Sequence, residues 1–115
     1  MNQQRYARQI TLPEIGDTGQ ARLAKASVLC VGAGGLGAPV LYYLAAAGVG
    51  RIGIIDPDTV DISNLHRQVI FTEADLNAPK AKAASTHIAA LNSDIRVKGY
   101  DAALTPDNAP DLFAD

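Results

Sequence analysis

The sequence predicts an α/β fold: a parallel sheet truncated to about three strands, in the order 3-2-1, with an N-terminal helical arm. Three observations predict it. Residues 28–31 are an apolar run that passes straight into Gly-Ala-Gly-Gly-Leu-Gly, in which Gly32, Gly34 and Gly37 keep a Gly-x-Gly-x-x-Gly spacing. Residues 36–47 are helical in pattern and apolar nearly all round. Residues 51–56 are a second apolar run, and it ends on a carboxylate, Asp56. Strand, glycine turn, helix, strand and acidic residue is the arrangement by which α/β proteins hold a nucleotide.

Each element follows from its own residues. Residues 1–9 are polar, with Arg5, Tyr6 and Arg8, and read as an arm or short helix. Pro13 interrupts residues 10–16, which read as a loop. Residues 17–25 read as a helix capped by Asp17 or Thr18, with Ala21, Leu23 and Ala24 available for packing. Residues 28–31 are apolar on both faces, as a strand inside a parallel sheet is. In the helix after the glycines, Pro39 falls in the first turn, where its missing N–H costs little, and Gly48 ends the helix. Residues 64–71 read as the start of a short helix. Pro79 opens another, with Ala81, Ala84, Ile88 and Leu91 at helical spacing and Asn92 near its end. Residues 95–100 are the third strand, and the Pro- and Asp-rich residues 105–115 form a loop leading to a further helix.

The chain thus divides into an arm, residues 1–26, and the first half of a Rossmann-like nucleotide-binding domain, residues 27–115. Right-handed crossovers put both intervening helices on one face of the sheet. Strand one then becomes an apolar edge, and only the N-terminal helix is left for the opposite face. That exposure predicts self-association, marginal stability, or a place in a longer protein.

Composition narrows the chemistry. A chain of 115 residues holds one domain at most. A net charge of -2 and the absence of any Lys or Arg run point away from nucleic acid. Cys30 is the only cysteine, so there is no internal disulfide and no zinc site of Cys-x-x-Cys type. In mid-strand it reads as a small buried hydrophobe rather than a nucleophile. No secretory leader opens the chain, and its most apolar window, residues 36–49, is too short for a membrane span, so the expected location is cytoplasmic.

The glycine loop and Asp56 alone read as a site for NAD, with Asp56 accepting from a ribose hydroxyl. The next segment, Ser63-Asn64-Leu65-His66-Arg67-Gln68, changes that reading. A nicotinamide end has little use for an arginine and two amides, whereas a triphosphate does. Arg67 can neutralise phosphate oxygens bidentately, Asn64 and Gln68 add neutral hydrogen bonds, and Lys80 adds a point charge at a helix start. Taken singly, Arg67 and Lys80 read equally well as solvated surface charges.

Together the segments are more selective. Arg5-Tyr6-x-Arg8-Gln9-Ile10, Gly32-x-Gly34-Gly35-Leu36-Gly37, Asp56-x-Asp58-x-Val60, Asn64-Leu65-x-Arg67-Gln68 and Pro79-Lys80 resemble, in order and over nearly the whole chain, the MoeB/ThiF family, relatives of the ubiquitin-activating enzymes. The resemblance implies Mg-ATP as cosubstrate and adenylation of the C-terminal Gly-Gly carboxylate of a ubiquitin-like sulfur carrier of MoaD or ThiS type. It implies that Gly32, Gly34, Gly35 and Gly37 cradle the nucleotide and that Asp56 takes the ribose. Asn64, Arg67 and Lys80 then hold the phosphates, with Gln68 counted among the nucleotide-binding residues for its neutral hydrogen bond. It implies a homodimer in which Arg8 reaches the neighbouring subunit's site as an arginine finger.

The chain also departs from that family's pattern. The family's magnesium aspartate and its zinc-binding cysteine pairs have no counterpart among these residues, so no metal ligand is assigned and the isolated chain is expected to be inactive. Asn77 stands where relatives often carry glycine. Two other classes of function stay open: an NAD-dependent oxidoreductase half-domain, and a carrier-binding module without catalysis.

Overall fold

A computed structural model describes residues 4–34 and 36–114. In chain order the elements are α1 (Ala7–Ile10), α2 (Gly16–Lys25), β1 (Ser27–Val31), α3 (Gly37–Ala47), β2 (Arg51–Ile55), α4 (Lys80–Leu91), β3 (Arg96–Tyr100) and α5 (Ala109–Ala114). Single 3-10 turns lie at Ile62–Asn64 and Glu73–Asp75. The three strands are parallel and ordered β1-β2-β3, with Cys30 beside Ile54 and Ile54 beside Gly99. This is the expected order, with β1 as an edge on which Val31 is 61% exposed.

The core lies between the sheet and the pair α3 and α4. Leu41 and Ala45 of α3 and Ala81, Ala84 and Ile88 of α4 pack with Ile52 and Ile54 of β2. Alanines at the contact let the helix backbones come close, while each fully buried Leu or Ile contributes about 1.5–3 kcal/mol. Gly48 closes α3 in the left-handed conformation at φ 94°.

Three local expectations are corrected. First, α2 starts at Gly16 with Ile15 at its N-cap, and Asp17 lies inside the first turn instead of capping it. Its carboxylate still meets the positive end of the helix dipole there. Second, residues 64–71 do not open a helix. Asp61 caps the short turn by accepting from the Ser63 N–H at 2.8 Å and the Ser63 hydroxyl at 2.7 Å. The Asn64 carbonyl then accepts from the N–H groups of Arg67 and Gln68, and the chain turns inward to bury Ile70 and Phe71. Burying those two side chains outweighs helical continuation.

Third, the N-terminal helix does not cover the open face of the sheet. It closes the end where the strands begin: Gly50 N–H donates to the Leu23 carbonyl and Arg51 N–H to that of Ala26. Leu112 and Phe113 of α5 instead line a concavity with Leu29, Gly53, Lys98 and Tyr100. The tail, not the arm, partners that face. No helix among the described residues is long and apolar enough to cross a membrane.

Buried amides fix the arm. Gln9 donates to Gln20 and, at 2.8 Å, to the Ala47 carbonyl, to which Gln20 also donates at 3.0 Å. Asn92, fully buried, donates to the Tyr6 hydroxyl and to the Ala45 carbonyl, both at 2.8 Å, and accepts from Asp94 N–H at 3.0 Å. The half-exposed Arg5–Asp94 pair at 3.7 Å adds little. Asn92→Ala, which removes two buried hydrogen bonds and one part-buried one, is expected to lower unfolding stability by about 2–3 kcal/mol. Urea denaturation with an unchanged m-value checks it.

Candidate nucleotide-binding site

The strand ends and helix starts meet at one edge of the sheet. Gly32 leaves β1 at φ 97°, a conformation that only glycine adopts without strain, and its N–H donates to the Ile55 carbonyl at 2.8 Å. A side chain at Gly37 would collide with the Gly32 carbonyl, so α3 begins hard against the turn it follows. Ala38 N–H donates to the Gly34 carbonyl at 2.9 Å. Gly35 lies outside the described residues.

Asp56 is buried just beyond β2. One carboxylate oxygen accepts from Ala33 N–H at 2.9 Å and the other from Asp58 N–H at 2.8 Å. The carboxylate therefore clamps the glycine loop to the loop after β2, and each oxygen keeps capacity for a hydroxyl donor. Beneath the loop, a Cβ placed at Gly34 would stand 3.4 Å from Nε2 of Gln68. Gln68 is 4% exposed, and its Oε1 has no hydrogen-bond partner among the described residues. An orphaned buried acceptor costs about 1–3 kcal/mol, which a donor from a ligand would relieve.

Lys80 starts α4, is 7% exposed, and donates its backbone N–H to the Asp58 carbonyl at 2.9 Å. Ser63 holds the Asp61 carboxyl below the usual range through its hydroxyl and N–H, and the Lys80 charge adds a smaller pull. Asn77 is the only non-glycine residue with positive φ among the described residues, at 69°. Asparagine tolerates that region, which accounts for its standing in place of glycine. The turn lets Val60 and the 77–78 segment exchange hydrogen bonds, delivering Pro79 and Lys80 beside Asp58.

The structure thus gathers Gly32, Gly34, Gly37, Asp56, Gln68 and Lys80. Half-buried Asn64 and exposed Arg67 lie on the same loop as Gln68, and Arg67 makes no ion pair among the described residues. Arg8 is not brought to them. It is exposed on an arm tied to the C-terminal ends of α3 and α4, whereas Gly37 and Lys80 stand at the N-terminal ends. Cys30 donates to the Gly32 carbonyl at 3.3 Å, and burial pushes its thiol pKa up, the reverse of what a nucleophile needs. No three His, Cys, Asp or Glu side chains among the described residues group to hold a metal ion.

One pair escaped the sequence reading. Asp75 accepts from Thr72 N–H at 2.8 Å and from His87 Nε2 at 2.7 Å. The Thr72-x-x-Asp75 spacing of a capping box was the available signal for half of it; nothing local announces His87. Burial alone would raise the Asp75 pKa, but the bonds from Thr72 and His87 together hold it below the ordinary value. A lowered folded-state pKa gives stability that is full above the unfolded value of about 4 and is lost as pH falls through the folded one. The stability gap between the native chain and His87→Ala is therefore expected to shrink below about pH 4, as urea titrations at stepped pH would read.

Comparison with known proteins places this geometry. A model of the ThiF family matches residues 6–115. The chain is 54% identical over 109 residues to the sulfur carrier protein adenylyltransferase of Thermus thermophilus, covering 95% of this chain and 40% of that protein. It is 50% identical over 110 residues to an adenylyltransferase and sulfurtransferase of Arabidopsis thaliana, covering 96% of this chain and 24% of that one. The chain therefore spans between 24% and 40% of the length of these curated relatives. Among solved structures, E. coli TcdA in complex with ATP matches with a TM-score of 0.87 at 30% identity, over 97% of this chain and 45% of that one. E. coli MccB with ATP matches with a TM-score of 0.77 at 32% identity, over 96% and 33%. With a glycine turn, a clamped acidic residue and a family match along nearly its whole length, the chain belongs to the ThiF family.

Proposed function

We propose that this chain is the ATP-binding part of an adenylyltransferase that activates the C-terminal Gly-Gly carboxylate of a ubiquitin-like sulfur carrier. The observation that carries the nucleotide reading is the buried Asp56 carboxylate, which accepts from Ala33 N–H of the glycine turn and from Asp58 N–H and keeps acceptor capacity on each oxygen for a ribose hydroxyl. The names of the curated relatives support the carrier and the adenylyl transfer.

In this reading Asp56 accepts from a ribose hydroxyl, and the glycine turn with the first turn of α3 offers N–H groups to phosphate. The carrier carboxylate attacks the α-phosphorus, the bond to the β-phosphate oxygen breaks, and pyrophosphate leaves. Arg67 and Lys80 neutralise the charge that builds on the departing group, and Asn64 and Gln68 fix its orientation. No covalent enzyme intermediate is needed, which agrees with the raised pKa of Cys30. Arg8 acts on a neighbouring copy's nucleotide, since its own arm is tied to the far ends of α3 and α4; the working unit is then a homodimer. The magnesium that accompanies ATP shields phosphate charge, and no protein ligand is assigned to it or to zinc. A free thiol and the use of ATP fit the cytoplasm.

Calorimetric titration tests the nucleotide. The chain is expected to bind ATP in preference to NAD, and Arg67→Ala to weaken ATP about 10- to 100-fold while leaving adenosine unchanged. Tighter binding of NAD, indifferent to Arg67→Ala, would instead identify an oxidoreductase half-domain. In the full-length protein, ATP–pyrophosphate exchange is expected only when a carrier ending in Gly-Gly is present.

A further inference from the structure

The loop between Asp56 and Pro79 carries Asn64, Arg67 and Gln68, yet holds no regular structure beyond two single 3-10 turns. Its base is clipped by the Val60–Ala78 and Asn77–Val60 hydrogen bonds, and its middle is anchored by buried Ile70 and Phe71. The return limb, residues 72–78, is fastened to the body of the protein by a different device. One oxygen of Asp75 gathers three donors: Thr72 N–H at 2.8 Å, the Thr72 hydroxyl at 3.3 Å and His87 Nε2 at 2.7 Å. His87 sits seven residues after Lys80 on α4, two helical turns along the same face. Asp75 likewise follows Gln68 by seven residues.

We infer that Asp75 and His87 are a positioning pair, setting the distance between the Asn64–Gln68 limb and Lys80 so that both reach one polyphosphate. The inference rests on the ATP reading given above for its consequence, though not for its geometry. Neither side chain touches the nucleotide pocket. The pair acts by tying the loop to the helix that bears the lysine, and it touches neither Asp56 nor the glycine turn. Losing it therefore separates the phosphate end of the ligand from the nucleoside end.

The test pairs His87→Ala with His87→Gln, whose side-chain amide can still donate to Asp75; Asp75→Asn, which leaves α4 untouched, is the second route. The His87 side chain is 32% exposed, so truncation opens no core cavity. ATP and adenosine affinities are measured by calorimetry, and amide hydrogen exchange is followed over residues 64–78 and over β2. For His87→Ala the expected result is ATP binding weaker by about tenfold, unchanged adenosine binding, and faster exchange that starts in residues 72–78 and extends to 64–71 but not to β2. His87→Gln is expected to restore all three. Equal losses for ATP and adenosine, or exchange that does not change, would overturn the inference. If the native chain binds no ATP, the nucleotide reading fails while the exchange arm still decides: acceleration in residues 72–78 that extends to 64–71 supports the pair, and none in residues 64–71 refutes it.

Discussion

The carboxylate of Asp56 is the point on which the rest of the site depends. Buried and bonded to Ala33 N–H and Asp58 N–H, it joins two loops that leave neighbouring parallel strands. That bridge links the glycine turn, which Gly32 N–H also ties to the Ile55 carbonyl, to the 58–60 segment, which Val60 and Asp58 tie to the start of α4. The acidic residue proposed to take a ribose therefore also holds two loops of the fold together. Function and stability are not competing demands on it.

Around this clamp the protein uses small residues to bring backbones together and leaves one polar atom unsatisfied. Gly37 lets α3 begin against the Gly32 carbonyl, and Ala81 and Ala84 let α4 settle on the sheet. Gln68 is the exception in an interior whose other buried side-chain polar atoms among the described residues find partners. An acceptor of this kind close to Gly34 is one that a hydroxyl or amide donor, and not a phosphate oxygen, can satisfy.

What the sequence made legible was what depends on local spacing. Strand, turn and helix around Gly32, the acidic residue at the end of β2, and the start of α4 after Pro79 all follow from offsets along the chain, and the strand order follows from crossover handedness. What it hid depends on partners far away. Residues 64–71 have helical-looking composition, but burial of Ile70 and Phe71 decides their path. Arg8 carries a motif, yet only the contacts of Gln9 and Tyr6 reveal that its arm sits at the wrong end to serve its own loop. Asp75, on the loop, meets His87 on α4, and Leu112 and Phe113 of α5, not the arm, line the concavity on the open sheet face.

The bond between Asn92 and Tyr6 spans 86 residues of chain. Closing so long a loop is entropically costly, and the other contacts that seat the arm, the Tyr6 ring against Gly48 and Gln9 on the Ala47 carbonyl, are long-range too. The arm has no seat of its own until the ends of α3 and α4 are in place to receive it. Its docking is therefore expected to follow formation of the core between the sheet and these two helices, so that the segment preceding β1 in sequence is fixed later than β1 itself.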